Sequence, residues 1–114
     1  MSIRELDPIY AIQMEVHKVA KEKGWWDNPR SIGEALMLVN CELAEAMEEY
    51  RIHGTNNPSY KVNDKPEGLA IELADAIIRI LDLAEHYGLD IGRAIEEKHK
   101  YNMTRPYRHG NKNA

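Results

Sequence analysis

Glu72-Leu73-Ala74-Asp75-Ala76-Ile77-Ile78-Arg79-Ile80-Leu81-Asp82-Leu83-Ala84 is the stretch that decides the fold. Leu69, Leu73, Ala76, Ile80, Leu83 and Ala84 recur at helical spacing, and Ile77, Ile78 and Leu81 widen the stripe. The spacing predicts a helix that is apolar around most of its circumference. Glu72, Asp75, Arg79 and Asp82 interrupt it at i, i+3, i+7 and i+10, one narrow line along the helix. Carboxylates on an otherwise buried helix are costly unless compensated. A divalent cation would compensate them. Its partner acids should lie upstream, in Glu42-Leu43-Ala44-Glu45-Ala46-Met47-Glu48-Glu49.

Three more helices follow from the punctuation around this one. Asp7-Pro8 opens the first, since Asp caps well and Pro suits the first helical position. Ile9, Ile12, Val16, Val19 and Ala20 mark its apolar face, and Gly24 stops it. A loop carrying Trp25 and Trp26 comes next. One indole should pack into the core while the other caps it; stacking of one indole on a nucleobase is the functional alternative. Ser31-Ile32-Gly33-Glu34 matches a capping box and starts the second helix. Ile32, Leu36, Val39, Leu43, Met47 and Tyr50 are its expected buried face, with Glu42, Glu45 and Glu49 on the neighbouring stripe. Residues 55–66 form a long polar connection, of a length that is commonly functional. Pro66-Glu67 should open the third helix, which ends near Tyr87-Gly88. Asp90 caps a fourth over roughly Ile91 to Asn102, and Pro106 keeps the basic tail, residues 104–114, out of it.

The expected fold is therefore all-α, a four-helix bundle forming one domain over residues 1–114, with the first helix and Trp loop within residues 1–30. The third helix carries more apolar surface than such a monomer covers. A homodimer or homotetramer is the simplest cover.

Bulk properties exclude several classes. The net charge of −4 gives no basic field for nucleic acid. No apolar run approaches the length of a membrane span. The single cysteine, Cys41, excludes an internal disulfide and fits a reducing compartment. The N-terminus, with Arg4, Glu5 and Asp7, lacks a signal-peptide pattern, so a cytoplasmic protein is expected.

Glu42-x-x-Glu45 and Glu72-x-x-Asp75 each put two carboxylates one helical turn apart. If the second and third helices pack antiparallel, four carboxylates converge. Charges about 4 Å apart repel by roughly 1 to 4 kcal/mol per pair, so the cluster needs a hard cation. Oxygen-only ligation selects magnesium, manganese or calcium over zinc. Glu96-x-x-His99 is a lone pair and does not make a di-iron centre. There is no Walker-type glycine loop.

Glu42-Leu43-Ala44-Glu45-Ala46, Glu72-Leu73-Ala74-Asp75 and the all-helical pattern resemble the MazG-like nucleotide pyrophosphohydrolases, whose signature is Glu-x-x-Glu, a spacer, then Glu-x-x-Asp. Here 26 residues separate Glu45 from Glu72. Gly24-Trp25-Trp26-Asp27, Leu36-Met37-Leu38-Val39 and Lys98-x-x-x-Asn102-x-x-Arg105-Pro106-x-x-His109-Gly110 extend the resemblance over most of the chain from residue 24. It implies magnesium-dependent (or manganese-dependent) hydrolysis of a nucleoside triphosphate to monophosphate and pyrophosphate. Glu42, Glu45, Glu72 and Asp75 would be the ligands and catalytic carboxylates, with Glu49 as an extra ligand or base. Lys98, Asn102, Arg105 and Trp25 would bind the nucleotide. Many members carry the first pair one turn earlier; on that register Val39 replaces the first ligand and Glu42 is the second. The rival expectation is a catalytically silent helical dimerisation or regulatory module.

Overall fold

Asp7 Oδ1 accepts a hydrogen bond from Ile9 N at 2.9 Å, and Pro8 occupies the first helical turn, which starts α1 (Pro8–Glu22). The computed structural model describes residues 7–113; the N-terminal segment with Arg4 and Glu5, and Ala114, lie outside them. Ser31 Oγ accepts from Glu34 N at 3.1 Å to start α2 (Ile32–His53), which Gly54 closes. Two short strands, β1 (Tyr60–Val62) and β2 (Lys65–Glu67), pair antiparallel. Then come α3 (Leu69–His86) and α4 (Ile91–Met103), the latter capped by Asp90, which accepts from Arg93 N at 3.1 Å. A single turn, α5 (Arg108–Asn111), follows Pro106. The domain is all-α apart from the small hairpin.

α3 is the central element, with α2 and α1 packed along it. Both neighbours run antiparallel to it. Along α2, Glu42 meets Arg79 and Glu45 lies near Glu72. Along α1, His17 meets Asp82 and Gln13 meets Glu85. α4 packs mainly on α1, where Gln13 is fully buried and bonds to Leu89 O and Ile91 N.

The interior departs from the expected faces. On α2 only Val39 of the six expected residues is buried; Ala35, Glu42 and Ala46 accompany it, while Ile32, Leu36, Leu43, Met47 and Tyr50 are exposed. The core joins Ala35, Val39, Ala76 and Leu83. On α2 the buried apolar positions are Ala35, Val39 and Ala46, while its large residues Ile32, Leu36, Met37, Leu43 and Met47 turn outward. On α1 the buried residues are Gln13 and His17, with Ile12 and Val19 exposed. On α3, Leu73, Ile77, Ile78 and Ile80 are exposed beside buried Ala76, Leu81, Leu83 and Ala84.

Pro66-Glu67 does not open α3. Both residues belong to β2, with Tyr60 opposite Glu67. Asn63 and Asp64 take positive φ of 51° and 66°, the left-handed pair of a tight hairpin turn. Gly68 follows at φ 117°, and a Cβ there would run into the Pro58 carbonyl. That carbonyl also accepts from Ala70 N at 2.9 Å. The base of the hairpin is thereby fastened to the start of α3. Among the described residues, no helix is long and apolar enough to cross a membrane.

Candidate metal centre

Antiparallel packing brings α2 carboxylates against the first turn of α3. Ligand oxygens of Glu42, Glu45 and Glu72 all lie within 4.8 Å of one another. Opposite oxygens around a hard cation with bonds of 2.0–2.6 Å lie about 4 to 5 Å apart, so the spacing fits one. Glu72 is the innermost member, 7% exposed, and its Oε2 is buried without a hydrogen-bond partner. Its nearest carboxyl neighbour, Glu45, is also an acceptor, so the two can bond only by sharing a proton. Burial first, then Glu45, Asp75 and Glu42, push the Glu72 carboxyl up to about 7 from 4.5.

Asp75 stands outside the tight group. It is half-buried and lines a cleft of about 320 Å³ together with Glu42, Arg79, Asp82 and Trp25. Burial and the charge of Glu42 raise its pKa, against the opposing pull of Arg79 and Lys65. Arg79 Nε donates to Glu42 Oε1 at 2.6 Å, so a side-chain cation already sits on one edge of the cluster.

The cleft runs between α1 and α3. Val16, Val19, Ala20 and Ile78 give it apolar walls, while Lys23 and Arg30 add positive charge. Trp25 is 59% exposed at this cleft. Trp26 has the opposite fate: it stacks on His86 with centroids 3.8 Å apart and donates Nε1–H to Asp82 at 2.9 Å. His17 Nδ1 meets the same Asp82 oxygen at 2.7 Å. Asp82, on the charged line of α3, is therefore spent on holding α1 and the Trp loop in place.

Lys98 and Asn102 lie apart from the carboxylates, on a shallow α4 groove with Ile91, Ala94, Ile95 and His99. Arg105 and Lys98 flank the Tyr101 ring, at 5.5 and 4.9 Å from its centroid. Within one chain these residues are not gathered to the cluster.

Two features escaped the sequence. Glu67 joins Glu49 and Glu72 in a second group of oxygens within 4.8 Å, but only through a hairpin whose Asn63-Asp64 turn lacks the usual glycine. The His17–Asp82–Trp26 junction carries no spacing signal, because its members come from three separate segments. Searches against protein-family models, curated proteins and solved structures found no match for this chain.

Proposed function

We propose that the chain is a metal-dependent nucleoside triphosphate pyrophosphohydrolase with a MazG-type fold. The observation that carries this reading is that Glu72, whose carboxylate groups with those of Glu42 and Glu45, keeps a buried oxygen, Oε2, with no donor. A structural salt-bridge site would have supplied a donor there. Glu42, Glu45 and Glu72 would hold magnesium or manganese, and the ion would neutralise phosphate charge.

The chain's own groups perform the rest. The apolar walls of the cleft and the exposed Trp25 take the base. Lys23, Arg30 and Arg79 face the phosphates. Asp75, in the same cleft but outside the tight group, accepts a proton from the attacking water. The water oxygen bonds to the α-phosphorus, the bond from that phosphorus to its bridging oxygen breaks, and pyrophosphate departs. Lys98, Asn102 and Arg105 join only if a second copy delivers them. The outward stripes of α2 (Leu36, Leu43, Met47) and α3 (Leu73, Ile77, Ile80) are the surface on which a homodimer or homotetramer would form.

One observation favours the alternative of a silent regulatory module: Arg79 already neutralises Glu42. A panel of nucleotides assayed for pyrophosphate with magnesium and manganese separates the two. Release from at least one nucleotide, lost in Glu72→Ala, supports the enzyme. No release anywhere on the panel, and no thermal shift with magnesium and nucleotide, leaves the module.

A further inference from the structure

We infer that Arg79 is an exchangeable counter-ion: Glu42 holds it in the metal-free chain, a divalent cation on Glu42 releases it, and the freed guanidinium takes a polyphosphate in the cleft. Cation and polyphosphate then bind cooperatively. The inference rests on the reading of Glu42, Glu45 and Glu72 as a metal centre, and adds the regulation of that site.

Arg79 is the one base on the charged line of α3. Its Nε donates to Glu42 Oε1 at 2.6 Å, across to α2. Glu42 also belongs to the group with Glu45 and Glu72, whose ligand oxygens lie within 4.8 Å of one another. The same carboxylate is thus claimed twice. An ion bonded to Oε1 at about 2.1 Å would stand within roughly 5 Å of the arginine Nε. The Glu42 side chain is only 11% exposed, so solvent screens two like charges there poorly. Ion and arginine compete for Glu42.

The arginine has somewhere to go. It grips Glu42 through Nε, and among the described residues its terminal nitrogens hold no acid. Its side chain is 34% exposed and lines the cleft of about 320 Å³. That cleft is balanced in charge, with Lys23, Arg30 and Arg79 against Glu42, Asp75 and Asp82. Two of the cations are already engaged, Arg79 by Glu42 and Arg30 by Glu34 at 3.7 Å. A polyphosphate therefore meets little free positive charge until Glu42 is neutralised. A guanidinium released from Glu42 offers a planar fork that matches a pair of phosphate oxygens. Each ligand removes what opposes the other, and the coupling is reciprocal.

Calorimetry on the metal-free chain at pH 8 tests the exchange with two separate probes: manganese alone, and pyrophosphate alone with a chelator present. Arg79→Gln, its fold checked by circular dichroism, should bind manganese about tenfold more tightly than wild type. Unchanged or weaker binding overturns the exchange, because Arg79 would then be holding Glu42 in place for the ion. Glu42→Gln should bind pyrophosphate about tenfold more tightly than wild type, and Glu42→Gln/Arg79→Gln should lose that gain. Asp75→Asn removes a charge from the same cleft without touching the Arg79 bond, and should gain far less. A gain that survives in the double variant, or that Asp75→Asn matches, is mere loss of repulsion and overturns the exchange. The comparison of Glu42→Gln with Asp75→Asn decides the matter even if Arg79→Gln does not fold. Manganese binding to wild type with a failed exchange leaves the metal centre standing. No manganese on wild type or on Arg79→Gln overturns both.

Discussion

Glu72 and Asp82 stand ten positions apart on one charged line of α3, and they live opposite lives. Asp82 receives Trp26 Nε1–H and meets His17 Nδ1, so its oxygens are satisfied by α1 and the Trp loop. Glu72 is at least as secluded, yet it faces acids and its Oε2 has no donor. A partnered buried acid organises structure; an unpartnered one among acids is poised for a ligand. The same sequence pattern thus supplies a joint at one end of the helix and a candidate centre at the other.

The sharpest way to break this contrast is to remove each acid. Asp82→Ala strands the Trp26 N–H and the buried His17. It should cost about 3 kcal/mol in urea denaturation and leave magnesium-induced stabilisation intact in the fraction that folds. Glu72→Gln should behave the other way. The amide gives Glu45 a donor and removes a buried charge. The metal-free protein should therefore be no less stable at pH 8, while its thermal response to magnesium disappears. A loss of stability in Glu72→Gln comparable to that of Asp82→Ala would erase the distinction.

The pH dependence sharpens it further. The Glu72 carboxyl is pushed up to about 7 from 4.5, so the folded chain holds this proton more tightly than the unfolded chain. The stability linked to that proton is fully present below about 4.5 and is lost as pH rises through about 7. Thermal melts of the metal-free protein across this window should show the decline, and Glu72→Gln should flatten it. The smallest expected effect is at Trp25. Trp25→Ala should leave the melting temperature nearly unchanged and weaken nucleotide binding by about 1 kcal/mol, roughly fivefold, in calorimetry. Trp26→Ala should instead destabilise the fold, because its indole is bonded and stacked.

Helices and caps were legible because Asp7, Ser31 and Asp90 announce themselves locally, and their side chains accept the expected amide protons. The convergence of Glu42, Glu45 and Glu72 was legible because one helical turn between acids and an antiparallel hairpin leave little freedom. The buried faces of α1 and α2 were not. Periodicity identifies an apolar stripe without saying whether it meets this chain or something beyond it. The α2 interior is built from Ala35 and Ala46, which contribute little to such a stripe, while Met47 and Leu43 face out. Gln13 and His17 were missed for a related reason: a buried polar group is stable only through partners distant in sequence, here Leu89, Glu85 and Asp82. Glu67 was lost to the helix-opening look of Pro66-Glu67, which strand pairing overrode.

The most direct measurement is the melting temperature of wild type and Glu72→Gln at pH 7.5, with and without magnesium at a concentration far above its dissociation constant. We expect wild type to gain about 10 °C and Glu72→Gln to gain nothing. Equal shifts in both proteins, or none in wild type, would contradict the assignment of Glu72 as the centre of a cation site.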